Sequence, residues 1–125
     1  MVVSPSLPRP VVLVVDDEPL LRMMAIDVVE EAGFEAIEAA DADAAIAIFE
    51  LRADIRILFT DIQMPGSMDG LKLARAVRDR WPPVRIILTS GHCKAQDLDL
   101  GPGHVFFAKP YDLHAVEAAL HRLAH

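Results

Sequence analysis

The stretch "ILFTDIQMPGSMDG", residues 57–70, decides how the chain is read. Ile57, Leu58 and Phe59 run into Thr60 and then into a carboxylate, Asp61. A stiff Pro65-Gly66 turn follows, and Asp69-Gly70 leads into a helical pattern. A strand apolar enough to be buried therefore ends on an acid. That placement makes sense only if other groups meet the acid at the strand end.

The rest of the chain supplies the strands that could carry such groups. Residues 11–15 are continuous and β-branched, as expected of a strand buried on both faces. Pro19 suits a first helical position, and Leu20, Met23, Met24, Asp27 and Val28 follow at helical spacing, which predicts an apolar stripe broken by Asp27. Gly33 suits the helix stop. "FEAIEAA" alternates and predicts a half-exposed strand. "DADAAIAIFEL" begins at a cap, Asp41 or Asp43, and predicts a helix to about Leu51. Residues 55–60 form the third strand and residues 69–81 the third helix. On that helix Leu71, Leu73, Ala74 and Val77 face inward, and Lys72, Arg75, Arg78 and Arg80 face outward; Pro82-Pro83 ends it. "VRIILTS" and "HVFFA" are the fourth and fifth strands. The final helix runs from about Asp112 to Leu123, with Leu113, Val116, Leu120 and Leu123 as its stripe. Between the last two strands a short or irregular helix is expected around residues 94–100, limited by Gly101-Pro102-Gly103.

The bulk numbers agree with one compact α/β unit. The chain has 125 residues, of which 53% are hydrophobic, long enough for a core and too apolar for disorder. No apolar run approaches the roughly 20 residues that span a bilayer. Residues 1–10 lack a signal-peptide pattern and are expected to form a disordered leader ahead of a domain at 11–124. The net charge of −7 disfavours direct nucleic-acid binding. The lone Cys93 points to a reducing cytoplasm.

Strands alternating with helices predict a doubly wound five-stranded parallel sheet with helices on both faces. Ligands of such sheets bind beyond the carboxyl ends of the strands. Those ends carry Asp16-Asp17-Glu18, Ala39-Ala40-Asp41, Thr60-Asp61, Thr89-Ser90-Gly91 and Ala108-Lys109-Pro110. Clustered carboxylates repel unless a cation neutralises them, and oxygen ligands of this kind suit Mg²⁺. Mg²⁺ would cancel charge on an incoming phosphoryl group. Lys109 could pair with one phosphoryl oxygen and Ser90 could donate to another, leaving Asp61 as the nucleophile.

"VLVVDDEPLLR", "LFTDIQMPGSMDG", "IILTSGH" and "FFAKPYD" together resemble the receiver domain of two-component response regulators. The resemblance covers about residues 11–123, with four separated motifs in the right order. It implies a flavodoxin-like strand order, 2-1-3-4-5. It implies that Asp61 is the phosphoacceptor, charged by a phosphohistidine of a histidine kinase or phosphotransfer protein. Asp17, Asp61 and the backbone carbonyl of Gln63 would bind Mg²⁺ directly, and Asp16 mainly through water. Ser90 would be the switching hydroxyl, Lys109 the phosphate contact, Pro110 the partner in a cis peptide bond, and Phe106 the switch aromatic. Gln63 and His92 occupy positions that in the family tune hydrolysis of the acyl phosphate. Such a protein catalyses only its own phosphotransfer and dephosphorylation and is not otherwise an enzyme. With no output domain in this chain, a stand-alone receiver acting on an unknown downstream protein is the expectation.

Two departures stand out. The loop "MPGSMDG" is one residue longer than the commonest family loop, through Ser67 or Gly66, and should bulge outward. The segment between Ser90 and Lys109 is short.

Each feature also has a plainer reading. Asp16-Asp17 alone would read as a cap ahead of Pro19; the matching strand ends of Asp61 and Lys109 outweigh it. Asp69 is kept as a cap. Thr89 and Ser90 point to opposite sides, and Ser90 is preferred because Gly91 follows. Phe107 is taken as core. His92, Cys93 and His104 fit no zinc spacing, and Met23, Met24, Met64 and Met68 read as packing and loop-anchoring residues. Two other functions are possible for such a sheet: a magnesium-dependent phosphohydrolase, which would resemble an Asp-x-Asp pair where this chain has Gln63, and a pseudo-receiver, which would lack an acid or the lysine.

Overall fold

The computed structural model describes residues 9–66, 68–91 and 103–124. Five strands, β1 (Val11–Val15), β2 (Glu35–Ala39), β3 (Ile55–Asp61), β4 (Arg85–Ser90) and β5 (His104–Ala108), form one parallel sheet in the order β2-β1-β3-β4-β5. Four helices accompany them among the described residues: α1 (Pro19–Glu31), α2 (Ala42–Leu51), α3 (Gly70–Arg80) and α4 (Leu113–Leu123). The doubly wound architecture expected from the alternating pattern is therefore present. β3 includes Asp61 itself, one residue beyond the expected end.

The sheet is covered on both faces. Leu13, Val15, Leu58, Ile86 and Leu88 pack beneath α2 and α3, against Ala45, Phe49, Leu73, Ala74 and Val77. Val12, Val14, Ile57, Phe59 and Ile87 pack beneath α1 and α4, against Ala25, Val29, Val116, Ala119 and Leu120. Central strands buried on both faces read as continuous apolar runs because every residue meets a helix layer. β2 lies at the sheet edge, which explains its half-exposed pattern.

Caps set the helix starts where the sequence places short polar side chains. Asp41 Oδ1 accepts from Ala44 N–H at 2.8 Å, so Asp41 rather than Asp43 caps α2. Asp69 Oδ1 accepts from Lys72 N–H at 2.9 Å, and Asp112 Oδ1 from His114 N–H at 2.9 Å. Each such cap satisfies an orphan amide at a helix start. Gly33, at φ +97°, closes α1, and its N–H reaches the Glu30 carbonyl.

The phase of α1 departs from expectation. Leu20, Met23 and Met24 are 70%, 61% and 49% exposed, and Asp27 is exposed as well. Ala25 and Val29 face the sheet instead, with Ala32 just beyond the helix end. Apolar residues surround most of this helix, so hydrophobicity alone leaves its rotation undetermined. The sheet selects the face with small residues, which permit close approach. Met23 and Met24 are thus surface residues, whereas Met64 is buried and Met68 packs against the α2–α3 side. On α4 the buried stripe is Val116, Ala119, Leu120 and Leu123, and Leu113 is 49% exposed in the first turn, away from the core. Leu71 on α3 is half-buried beside fully buried Leu73, Ala74 and Val77.

Residues 1–8, Ser67 and residues 92–102 lie outside the described residues. With them go most of the expected leader, the short helix around residues 94–100, the extra loop residue if it is Ser67, and His92 and Cys93.

Candidate functional site

Strand parity brings the acids together. Val12 pairs with Ile57 and Val14 with Phe59, all facing α1 and α4. Side chains alternate along a strand, so two residues further on Asp16 and Asp61 share that face at the carboxyl edge. Asp16 and Asp61 are buried and Asp17 is half-buried. One ligand oxygen from each of the three lies within 4.8 Å of the others.

The two oxygens of Asp61 have different surroundings. Oδ2 lies 3.3 Å from Lys109 Nζ, which approaches from the end of β5. Oδ1 is buried without a hydrogen-bond partner among the described residues. A buried carboxylate oxygen left unpaired is costly. Beside two further carboxylates it makes a donor set suited to a hard divalent cation. The residues present therefore fit Mg²⁺.

Asp16 is held by its own loop. Its Oδ1 accepts from Glu18 N–H at 3.0 Å, so it caps locally as well as joining the acid cluster. Burial raises its pKa above the usual carboxylate value; the Glu18 N–H and Lys109 oppose the shift, and the charges of Asp61 and Asp17 add to it. Tyr111 is raised too, first by burial and then by the Asp16 and Asp61 charges. Its ring sits 6.3 Å from those of Phe59 and Phe107, forming an aromatic floor under this side of the site.

The loop after β3 is fastened from both sides. Ile62 N–H donates to the Thr89 carbonyl at 2.9 Å, and Gly70 N–H to the Ile62 carbonyl at 2.9 Å. A Cβ on Gly70 would overlap the Asp61 carbonyl oxygen, so only glycine lets α3 begin this close to the strand end. On the other flank Lys109 N–H donates to the Ser90 carbonyl at 2.8 Å, and the Lys109–Pro110 peptide is cis, as the family resemblance implied.

Ser90 is fully buried, and its hydroxyl donates to Gln63 Oε1 at 2.8 Å. Thr89 faces the Ile87 side by alternation, opposite to Ser90. Phe106 pairs in register with Leu88 and packs on the α2–α3 side, the side to which Ser90 belongs. Phe107 packs on the other side near Tyr111. Both phenylalanines are half-buried, so the expected contrast of one core ring and one mobile ring is a contrast of sheet faces.

Arg22 is a site residue that sequence reasoning did not single out. Its Nη1 donates to the Asp16 carbonyl at 2.7 Å and its Nε to Glu38 Oε1 at 2.9 Å. It ties the β1–α1 loop to β2, and only its place one turn into α1 hints at this. Beside it, Leu21, Met24, Lys109, Pro110, Tyr111 and Leu113 line an apolar cavity of about 350 Å³.

Known proteins share this arrangement. The model of the response regulator receiver domain family matches residues 12–121. The chain is 37% identical over 82 residues to the nitrogen assimilation regulatory protein NtrX of Azorhizobium caulinodans, covering 65% of this chain and 18% of that protein. It is 33% identical over 106 residues to the sensor kinase CckA of Brucella abortus, covering 82% of this chain and 11% of that one. The chain thus spans a small part of these curated relatives. The crystal structure of a response regulator receiver protein from Sinorhizobium medicae superposes with a TM-score of 0.86 at 27% identity, covering 95% of this chain and 97% of that one. Receiver domains generally bind Mg²⁺ at an acidic pocket and interact with histidine kinases or phosphotransfer proteins. None of the helices among the described residues is long and apolar enough to cross a membrane. With four motifs at four strand ends, the expected strand order and a family match across nearly its whole length, the chain belongs to the response regulator receiver domain family of two-component signalling.

Proposed function

We propose that Asp61 accepts a phosphoryl group from a phosphohistidine of a sensor kinase or phosphotransfer protein, and that the receiver then signals, or relays the group, through partner binding. The observation that carries this is the divided carboxylate of Asp61, with Oδ2 at Lys109 and Oδ1 without a hydrogen-bond partner among the described residues, in a cluster with the carboxylates of Asp16 and Asp17.

An oxygen of Asp61 attacks phosphorus as the phosphorus–nitrogen bond of the donor breaks. The imidazole leaves with the bonding pair and takes up a proton, and a mixed anhydride remains on Asp61. Asp16, Asp17, Asp61 and the Gln63 backbone carbonyl would hold Mg²⁺, which when bound neutralises charge on the phosphoryl oxygens. Lys109 shifts from Oδ2 to a phosphoryl oxygen as a point charge, and Ser90 donates to another. Coupled movement of Ser90 and Phe106 then biases a two-state surface. Positioning and electrostatics do most of this work, and the protein turns over only its own acyl phosphate.

The exposed Met24 and Leu113, which line a cavity together with Lys109, offer an apolar surface to a protein donor. The net charge of −7 favours protein over nucleic acid as the direct partner, and the lone Cys93 favours a cytoplasmic setting. The reading concerns the receiver unit; the output functions of the longer relatives are theirs.

Incubation with Mg²⁺ and acetyl phosphate should add one acid-stable, base-labile phosphoryl group by intact mass, and Asp61→Asn should take none. No adduct on the wild type would favour a pseudo-receiver, and rapid turnover of phosphomonoesters would favour a hydrolase.

A further inference from the structure

We propose that Gln63 is a latch that holds the Ser90 hydroxyl in its resting orientation and thereby sets how readily the site takes a phosphoryl group. The inference rests on the reading of Asp61 as phosphoacceptor and adds a positioning residue that acts through Ser90.

The geometry leaves Ser90 only its side-chain torsions. Its carbonyl accepts from Lys109 N–H at 2.8 Å, and the carbonyl of the preceding Thr89 accepts from Ile62 N–H at 2.9 Å, so the backbone is held on both sides. Rotation about the Cα–Cβ bond moves the hydroxyl oxygen, and rotation about the Cβ–Oγ bond turns its proton. That hydroxyl donates to Gln63 Oε1 at 2.8 Å. A serine hydroxyl has a single proton to donate. While Gln63 holds it, a phosphoryl oxygen on Asp61 cannot have it.

The competition has a definite direction. A carboxamide oxygen is a neutral acceptor, whereas a phosphoryl oxygen is charged, and charge-assisted hydrogen bonds are roughly twice as strong. The phosphoryl group therefore wins when present, and the latch holds when it is absent. Release is inexpensive on the other side, because Gln63 is exposed and its carboxamide passes to water. Gln63 sits two residues after Asp61 on a loop fastened by Ile62 and Gly70, so the latch and the phosphoacceptor move as one piece.

Two measurements test this. In the donor-free protein, three-bond couplings to the Ser90 β-protons report its rotamer. Wild type and Gln63→Glu, whose carboxylate still accepts, should show one rotamer, and Gln63→Leu an average over several. With Mg²⁺ and acetyl phosphate, Gln63→Leu should label Asp61 about two- to tenfold faster than wild type, the size of one neutral hydrogen bond. That gain should vanish in the Ser90→Ala background. A single Ser90 rotamer in Gln63→Leu would overturn the latch. So would a rate gain that persists in Ser90→Ala, because Gln63 would then act directly on the phosphoryl group. Absence of labelling in wild type would strike the phosphoacceptor reading instead, and the couplings would still judge the latch.

Discussion

Lys109 Nζ lies 3.3 Å from Asp61 Oδ2, although 48 residues of sequence separate them and they arrive on strands with β4 between. The lysine meets one oxygen of the acid, the other has no hydrogen-bond partner among the described residues, and an oxygen of Asp61 lies within 4.8 Å of oxygens of Asp16 and Asp17. Lys109→Ala should slow labelling by acetyl phosphate about 10²-fold, the scale of losing one preorganised donor to a developing charge. Mg²⁺ affinity, followed by titration calorimetry, should hold or rise, because a competing cation has left the acid cluster. An equal fall in both would refute the clamp role.

Asp16 gives the site a pH signature. Burial raises its pKa in the folded chain, so the folded state holds that proton more tightly than the unfolded state does. Its contribution to stability is then full below the unfolded carboxyl value and is lost as pH rises through the raised folded value. In Mg²⁺-free buffer Asp16→Asn should therefore raise the thermal midpoint by a few degrees at pH 7 and by less near pH 4. Mg²⁺ should stabilise the wild type at pH 7 by binding the native state, and should stabilise Asp16→Asn less. Thermal scans with and without the metal read both effects.

Gly70 couples helix placement to the acid. A side chain there meets the Asp61 carbonyl and the Ile62 Cα, both backbone, so neither can turn aside. Gly70→Ala should cost about 1–3 kcal/mol in urea unfolding, as for other overpacked sites. It should also slow phosphorylation, because α3 can be accommodated only by moving Asp61.

Arg22 is expected to act on the metal without touching it. Loss of its bonds to the Asp16 carbonyl and to Glu38 frees the β1–α1 loop. Arg22→Ala should weaken Mg²⁺ binding by about 10-fold, the low end for supporting residues around a metal. Arg22→Lys should not restore it, because an ammonium lacks the fork that spans both partners. Calorimetric titration of the three proteins decides this.

Much of the molecule was legible along the chain because its signals are local. Val11 to Val15 reads as a strand buried on both sides and is one; Asp69 reads as a cap and bonds the amide expected of a cap. The face of α1 was not legible. With apolar residues at 20, 21, 23 to 26, 28 and 29, several rotations look equally apolar, and only the sheet chooses Ala25 and Val29. Arg22 was missed for a related reason, since nothing local distinguishes an arginine that reaches back to a strand end from one in solvent.

Order and spacing along the chain determined the strands, the caps and the set of residues at the strand ends, because periodicity and turn chemistry act over a few neighbours. Tertiary structure alone decided which oxygen of Asp61 meets Lys109, which face α1 buries and where the Ser90 hydroxyl points. Those outcomes depend on the register between strands distant in sequence and on the close packing of helices against them, and neither is written in any single segment.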